Sequence, residues 1–321
     1  MPLHTKLTQL LGSRSVVQGG MQWVGLPQLA AAVSNAEDWV TIPAALRDAI
    51  RDTRKMTSKP FGVNITLLPS INPPDYEGYA RVAVEEGVRI FETAGNNPGP
   101  LIKFFKSQGC IVIHKCTTIR HAKSAERMGV DCLSIDGFEC AGHPGEDDIG
   151  GLVLLARAAQ ELKIPYIASG GVADGRGLAA ALALGACGVN MGTRFMCTVE
   201  SPIHQNIKDK IVASSDRTRY TSSARSATPH ASSRMRFRPR SCDRAPPRRC
   251  QVRGHPRPRS GQRGRRVYDT GDADAGIWSA GVVVGLIKDC PPCAELLQRI
   301  ERDAEAAIEQ MVALRAPKAK L

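Results

Sequence analysis

This sequence predicts an α/β fold, a parallel (β/α)8 TIM barrel with a small helical second domain that is partly disrupted, and three observations predict it. The stretch from Ile164 to Arg194 reads strand, helix, strand, with glycines at the carboxyl ends of both strands, in Ser169-Gly170-Gly171 and Gly192-Thr193-Arg194. That is a parallel βαβ unit whose two loops open on the same side. Upstream, apolar runs of strand length alternate with helical apolar spacing, so that eight strand signals lie between Val16 and Met191. A chain of 321 residues also has room for a barrel of about 250 residues and an appendage.

In order, Val16-Val17-Gln18 is a short strand running into Gly19-Gly20-Met21, and Leu26 to Val33 has helical spacing. Glu37 to Ile42 carries the second and weakest strand signal, and a trimmed strand there is expected to weaken barrel closure. Pro43 to Met56 reads as a helix opened by proline. The third strand is Phe61 to Ile65, and a helix from Tyr76 to Glu86 leads to the fourth, Arg89 to Glu92, which ends in Thr93-Ala94-Gly95. The fifth, Cys110 to His114, ends in Lys115, and the sixth, Asp131 to Ile135, ends in Asp136 and a loop reaching Glu146. Helices Ile119 to Met128 and Leu152 to Leu162 follow these two, and Tyr166 to Ala168 and Gly188 to Met191 complete the eight. The pair Cys290-Pro-Pro-Cys293 has CxxC spacing, but two prolines ahead of an apolar-periodic segment mark a helix start. The expected organisation is a barrel over 1–216, an Arg-rich aberrant segment over 217–266, and a helical segment over 267–321 packing on the barrel.

The net charge of +12 belongs to one place: residues 217–266 hold sixteen Arg, no Lys and one acid, Asp243, a sum of +15 that leaves −3 for the rest. As an arm for nucleic acid, 221–259 offers a single aromatic, Phe237, and no structured reader, so nucleic acid is not the expected partner. Arg-rich, Lys-free text is also what GC-rich codons yield out of frame. Ser222 to Arg238 can be back-translated so that a shifted frame reads LFRSLRNTARVFKNAVS, and Glu37-Asp38-Trp39-Val40 so that it reads Gly-Gly-Leu-Gly. The hypothesis is that both stretches are reading-frame errors. The ten cysteines, scattered through apolar strands, read as buried thiols of a reducing compartment. No apolar run approaches the roughly 18 residues of a membrane span, so a cytoplasmic protein with no membrane partner is expected.

Polar residues at strand ends share one mouth in a barrel, so Gln18, Asn64, Lys115, Asp136, His143, Ser169 and Thr193 are expected to converge. The glycine-tipped loops at Ser169, Gly170, Gly171 and at Gly192, Thr193 bring bare backbone N–H groups toward an anion. A cofactor with one phosphate there and a flat body over the mouth has the shape of flavin mononucleotide (FMN). Lys115 either places a positive charge beside the flavin, stabilising the anion formed on reduction, or snorkels from a strand end. Asn64 either bonds the ring edge or is a core amide. His143, in a glycine-flanked loop, is placed to act as a base near neutral pH. Glu146, Asp147 and Asp148 lack partners at ligand spacing, and no metal is assigned.

The motifs QGGMQWVG, KPFGVNITLLPS, FETAGNNPG, VIHKCT, DGFECAGHPGEDD, IASGGVADGRG, NMGTRFM and GIWSAG, in this order, resemble the nitronate monooxygenase family, formerly the 2-nitropropane dioxygenases. The resemblance covers most of 6–216 and 260–300. It implies an FMN barrel with a small second domain, and it aligns His143 with the family's catalytic histidine. It further implies that the cofactor is held by the motifs containing Gln18, Gly19, Gly20, Met21, Asn64, Lys115, Gly142, Ser169 to Gly171, and Gly192 with Thr193. The implied reaction takes an alkyl nitronate and O2 to a carbonyl compound and nitrite. GGMQWVG and GFECAGHPGED are also similar to a branch of NAD(P)H:quinone reductases, so NAD(P)H as reductant and a quinone as small-molecule substrate stay open. An inactive relative bearing a basic arm is the third expectation.

Overall fold

The computed structural model describes residues 3–12, 14–36, 39–43, 47–67, 74–142, 149–215, 220–221, 261–276 and 278–315. Glu37, Asp38, His143 to Asp148 and nearly all of the Arg-rich segment lie outside the described residues.

After α1 (Lys6–Leu11), strands and helices alternate as β1 (Val16–Gln18), α2 (Pro27–Asn35), β2 (Trp39–Pro43), α3 (Arg47–Met56), β3 (Gly62–Leu67) and α4 (Tyr76–Glu85). There follow β4 (Ile90–Gly95), α5 (Gly99–Ser107), β5 (Ile111–Cys116), α6 (Ile119–Arg127), β6 (Cys132–Asp136), α7 (Gly151–Glu161), β7 (Tyr166–Ser169), α8 (Gly175–Ala183) and β8 (Val189–Met191). The eight strands form a closed parallel barrel in sequence order, with β8 returning to β1 through Val16↔Val189, Val17↔Asn190 and Gln18↔Met191. The expected weakness at the second strand is not found. Short as it is, β2 pairs with β1 at Trp39 and Val40 and with β3 from Thr41 to Pro43, leaving no open edge at that position.

Alternation along the strands divides the core in two. Outward residues such as Val63, Phe91, Leu133, Ile135 and Val189 pack under the helices, with Phe91 stacked on Phe105 of α5 at 3.8 Å between ring centroids. Inward residues Val17, Ile90, Ile113, Cys132 and Ile167, with Cys187, form a dry floor closed by Leu7 and Leu11 of α1. The reciprocal Thr5–Thr8 cap starts α1, Gly12 in the left-handed region (φ 65°) ends it, and its two leucines four apart seal the barrel. Each such burial stabilises by about 1.5–3 kcal/mol.

Beyond the barrel lie α9 (Thr193–Met196), α10 (Gln205–Val212), a ribbon of β9 (Tyr220–Thr221) with β10 (Ser279–Ala280), α11 (Gly261–Thr270), a 3-10 turn over Val282–Leu286, and α12 (Cys293–Ala313). The helix α12 packs on α8, where Gly175 brings the two backbones together: a Cβ there would lie 2.7 Å from the carbonyl carbon of Asp303. It starts directly after Pro291-Pro292, and the Glu200 carboxylate accepts from the Cys293 amide at 2.9 and 3.1 Å. That ties Cys293 to a helix start, as its prolines predict. None of the described helices is long and apolar enough to cross a membrane.

Candidate active site

The strand period points a set of polar side chains into the upper barrel, above the dry floor. Register pairs Asn64 with Glu92, Lys115 with Ser134, Asp136 with Ser169, and Ser169 with Asn190. At their centre is Glu92 of β4, 1% exposed. Its Oε2 accepts from Asn64 Nδ2 at 2.8 Å and from the Gly20 amide at 3.3 Å, and its Oε1 accepts from Asn190 Nδ2 at 2.8 Å. Asn64 Oδ1 in turn accepts from the Thr66 hydroxyl at 2.8 Å, so both ends of this amide are engaged by neighbouring side chains.

Lys115 Nζ stands 3.9 Å from Glu92 Oε1 and 3.9 Å from Asp136 Oδ2. Both separations exceed hydrogen-bond reach, so the ammonium is held between two carboxylates by charge while its N–H groups are not spent on either. Burial works against the charged lysine, but Asp136 and Glu92 outweigh it and its pKa is raised. Burial pushes the Asp136 carboxyl up as well, against the pull of Lys115 and of hydrogen bonds from Ser169 and Ser134. Asn190 Nδ2 to Ser134 Oγ, 3.3 Å, and Ser134 Oγ to Asp136 Oδ1, 3.4 Å, close the network.

Above this layer four glycine-bearing loops meet. A Cβ on Gly20 would lie 2.5 Å from both Cβ and Cγ of Asn64, and one on Gly19 would press into the Asn190 amide. The turn Ser169-Gly170-Gly171 needs left-handed φ of 85° and 77°, and a Cβ on Gly170 would lie 2.8 Å from the Cys140 amide nitrogen. Glu139, beside Gly171, accepts from the Gly151 amide at the start of α7 at 2.9 and 3.1 Å and so fixes the loop after β6. Gly192 faces Met21, its Cβ position 3.3 Å from Met21 Sδ. From the C-terminal part, Gly281 donates to Thr193 Oγ1 at 3.0 Å and Val282 to the Glu139 carbonyl at 3.2 Å. Because Thr193 Oγ1 accepts from Gly281, its own O–H remains to donate. Trp23, at the strained φ of 67°, follows Met21 on the same loop, with the Arg265 guanidinium 5.3 Å above its ring.

Of the residues expected to converge, Asn64, Lys115, Asp136 and Ser169 share the barrel interior, and Gly19, Gly20, Met21, Gly170, Gly171, Gly192 and Thr193 form the rim. Gln18 is fully buried, but its pairing with Met191 puts it on the opposite face of β1, toward the helices, where its amide nitrogen donates to the Gly19 carbonyl. Gly142 is left-handed (φ 85°) with open space where a Cβ would be, and His143 beyond it lies outside the described residues. His114 faces outward, its Nδ1 2.8 Å from Thr93 Oγ1, and burial lowers its pKa to about 4.

Sequence reasoning missed Glu92, Asn190 and Gly281. The signal for Glu92 was present in the run Ile90-Phe91-Glu92, an acid directly after two large apolar residues inside a strand, and such an acid is seldom fully buried unless paired. Two clefts of about 330 and 230 Å³ lie between the start of α8 and α12, and neither is lined by Asn64, Glu92, Lys115, Asp136 or the glycines of the rim.

Comparison with known proteins gives the family and the fold. The family model described as nitronate monooxygenase matches residues 4–303. The chain belongs to the nitronate monooxygenase family. Members of this family are oxidoreductases, and this chain is an enzyme of that kind. It is 32% identical to the (3aS,4S,5R,7aS)-5-hydroxy-7a-methyl-1-oxo-octahydro-1H-indene-4-carboxyl-CoA dehydrogenase of Rhodococcus jostii, over 98% of this chain and 99% of that one. It is 27% identical to the nitronate monooxygenase of Paraburkholderia phytofirmans, over 95% and 96%. Among solved structures, FabK from Thermotoga maritima superposes with a TM-score of 0.79 at 30% identity, covering 98% of this chain and 100% of that one.

Proposed function

We propose that the barrel mouth holds FMN and that the enzyme oxidises alkyl nitronates with O2 to a carbonyl compound and nitrite. The observation that carries this reading is the Lys115 ammonium, 3.9 Å from both Glu92 and Asp136 and hydrogen-bonded to neither, beneath a rim of glycines. The donor set fits the cofactor. The left-handed Gly170 and Gly171, with Gly192 and the free O–H of Thr193 on the next strand, suit a phosphate, and Lys115 suits the electron-rich edge of a reduced ring. Bound there, FMN supplies the electron acceptor. The protein supplies the rest: Lys115 a fixed positive charge, Glu139 the rigidity of the loop after β6, and Trp23 with Met21 an apolar wall. By the family resemblance, His143 removes the α-proton when the substrate is a neutral nitroalkane.

A second reading has its own support, because the full-length match to a CoA-thioester dehydrogenase is the more similar of the two curated relatives above. A nitroalkane and an acyl thioester both carry an acidified C–H beside an electron-withdrawing group, so one base and one electron acceptor serve either. Anaerobic mixing separates the readings. Bleaching by ethyl or propyl nitronate, with nitrite released in air, is the expected result. Bleaching by a saturated cyclic acyl-CoA instead selects the dehydrogenase, and bleaching by NADH or NADPH with reoxidation by benzoquinone selects the quinone reductase. A preparation that refuses FMN supplied in excess ends all three.

A further inference from the structure

We infer that Glu92 is the positioning residue of this site: one buried carboxylate that sets the orientation of the Asn64 and Asn190 amides and tempers the positive field Lys115 presents at the mouth. The inference rests on the FMN reading above.

Barrel interiors are filled mainly by Val, Ile and Leu, and the layer below Glu92 obeys this with Val17, Ile90, Ile113 and Ile167. An acid at 1% exposure in the next layer is costly unless it is fully paired. Glu92 is paired from four other strands or their ends: Gly20 after β1, Asn64 on β3, Lys115 on β5 and Asn190 on β8. The Gly20, Asn64 and Asn190 donors are uncharged N–H groups, whereas the Lys115 ammonium stands at 3.9 Å, beyond hydrogen-bond reach. Both carboxylate oxygens already accept amide N–H groups at 2.8 Å, so Glu92 is satisfied without closing the ion pair to hydrogen-bond distance. The carboxylate engages the amides and, among the described residues, does not take up the N–H groups of the ammonium. The glycine rim follows from the same arrangement, since the amides that Glu92 aligns occupy the space a Cβ at Gly19 or Gly20 would need.

The test uses the FMN-loaded enzyme and reads the flavin reduction potential by equilibration with a reference dye, alongside FMN affinity and thermal unfolding. Glu92→Gln removes one negative charge at constant shape and is expected to shift the dye equilibrium about tenfold toward reduced flavin, roughly 30 mV for a two-electron couple. Lys115→Met is expected to shift it about tenfold the other way. In the double variant the two shifts are expected to be non-additive, because Glu92 acts partly through the lysine. Should Glu92→Gln not fold, Asn190→Ser decides: it strips a donor from the carboxylate, leaves its charge less compensated, and is expected to shift the equilibrium severalfold toward oxidised flavin. A folded, FMN-loaded Glu92→Gln or Asn190→Ser enzyme with the wild-type potential overturns the inference and leaves the proposed function standing. Wild-type protein that binds no FMN removes both.

Discussion

Gly20→Ala probes the junction between rim and interior. The new methyl carbon would sit 2.5 Å from Cβ and Cγ of Asn64 and 2.9 Å from its Oδ1, about an ångström inside van der Waals contact. Asn64 has little freedom to yield, since Nδ2 is bonded to Glu92 and Oδ1 to Thr66, each at 2.8 Å. Either the strand end shifts, an overpacking strain of about 1–3 kcal/mol, or the amide swings away and loses a buried bond to a charged acceptor, about 1.5–3 kcal/mol. The molecule takes the cheaper route or a mixture of the two, so the expected loss is about 1.5–3 kcal/mol. At roughly 2–4 °C per kcal/mol for a domain of this size, the melting temperature falls by about 3–12 °C. Urea unfolding of the FMN-free protein measures the loss as a shift in midpoint at unchanged slope. Gly109→Ala is the control: it adds a Cβ at φ 65° with nothing within 4 Å, and so meets only left-handed backbone strain, about 1–2 kcal/mol. If Gly20→Ala costs no more than Gly109→Ala, the Asn64 amide is not fixed and the account of the rim fails.

The pH dependence of stability carries a second expectation. His114, lowered from 6.5 to about 4 in the fold, is neutral where an unfolded chain would be protonated. Unfolding therefore takes up a proton between those values, and stability rises with pH across the window, by about 3 kcal/mol in all. The variant His114→Gln should flatten that part of the profile, and an unchanged slope would show that another group causes it. Glu139→Ala removes the carboxylate that accepts twice from the Gly151 amide, and about 1–2 kcal/mol of stability should go with it. Faster hydrogen exchange at Gly151 is the accompanying sign; an exchange rate like wild type would mean that α7 does not depend on the cap. The nucleotide sequence checks the frame hypothesis: it predicts Gly-Gly-Leu-Gly in a shifted frame over 37–40 and a helical, Lys-containing segment over 222–238, and the idea is lost if neither frame encodes them.

Much of the fold was legible because a parallel barrel repeats one rule. Each strand is an apolar run ending in a polar or glycine-rich turn, and the loops at Ser169, Gly192 and Gly95 announced themselves by composition alone. The weak second strand misled as to closure, since pairing on both sides compensates a short strand and no local pattern reports a neighbour. The first helix went unread, because Leu7 and Leu11 acquire meaning only when a barrel floor lies above them.

The sequence by itself determined the order of elements, the side of the barrel that carries the loops and the residue types at the mouth, for these depend on local periodicity and on glycine's freedom to turn. Which of those residues face one another was decided only in three dimensions. Gln18 turned away from the mouth because strand alternation has a period of two, and Glu92 became its centre because partners 28 and 98 positions distant in the chain direct their amides to one carboxylate. Such pairings depend on the shear and closure of the sheet, a property of eight strands together that no single stretch of sequence contains.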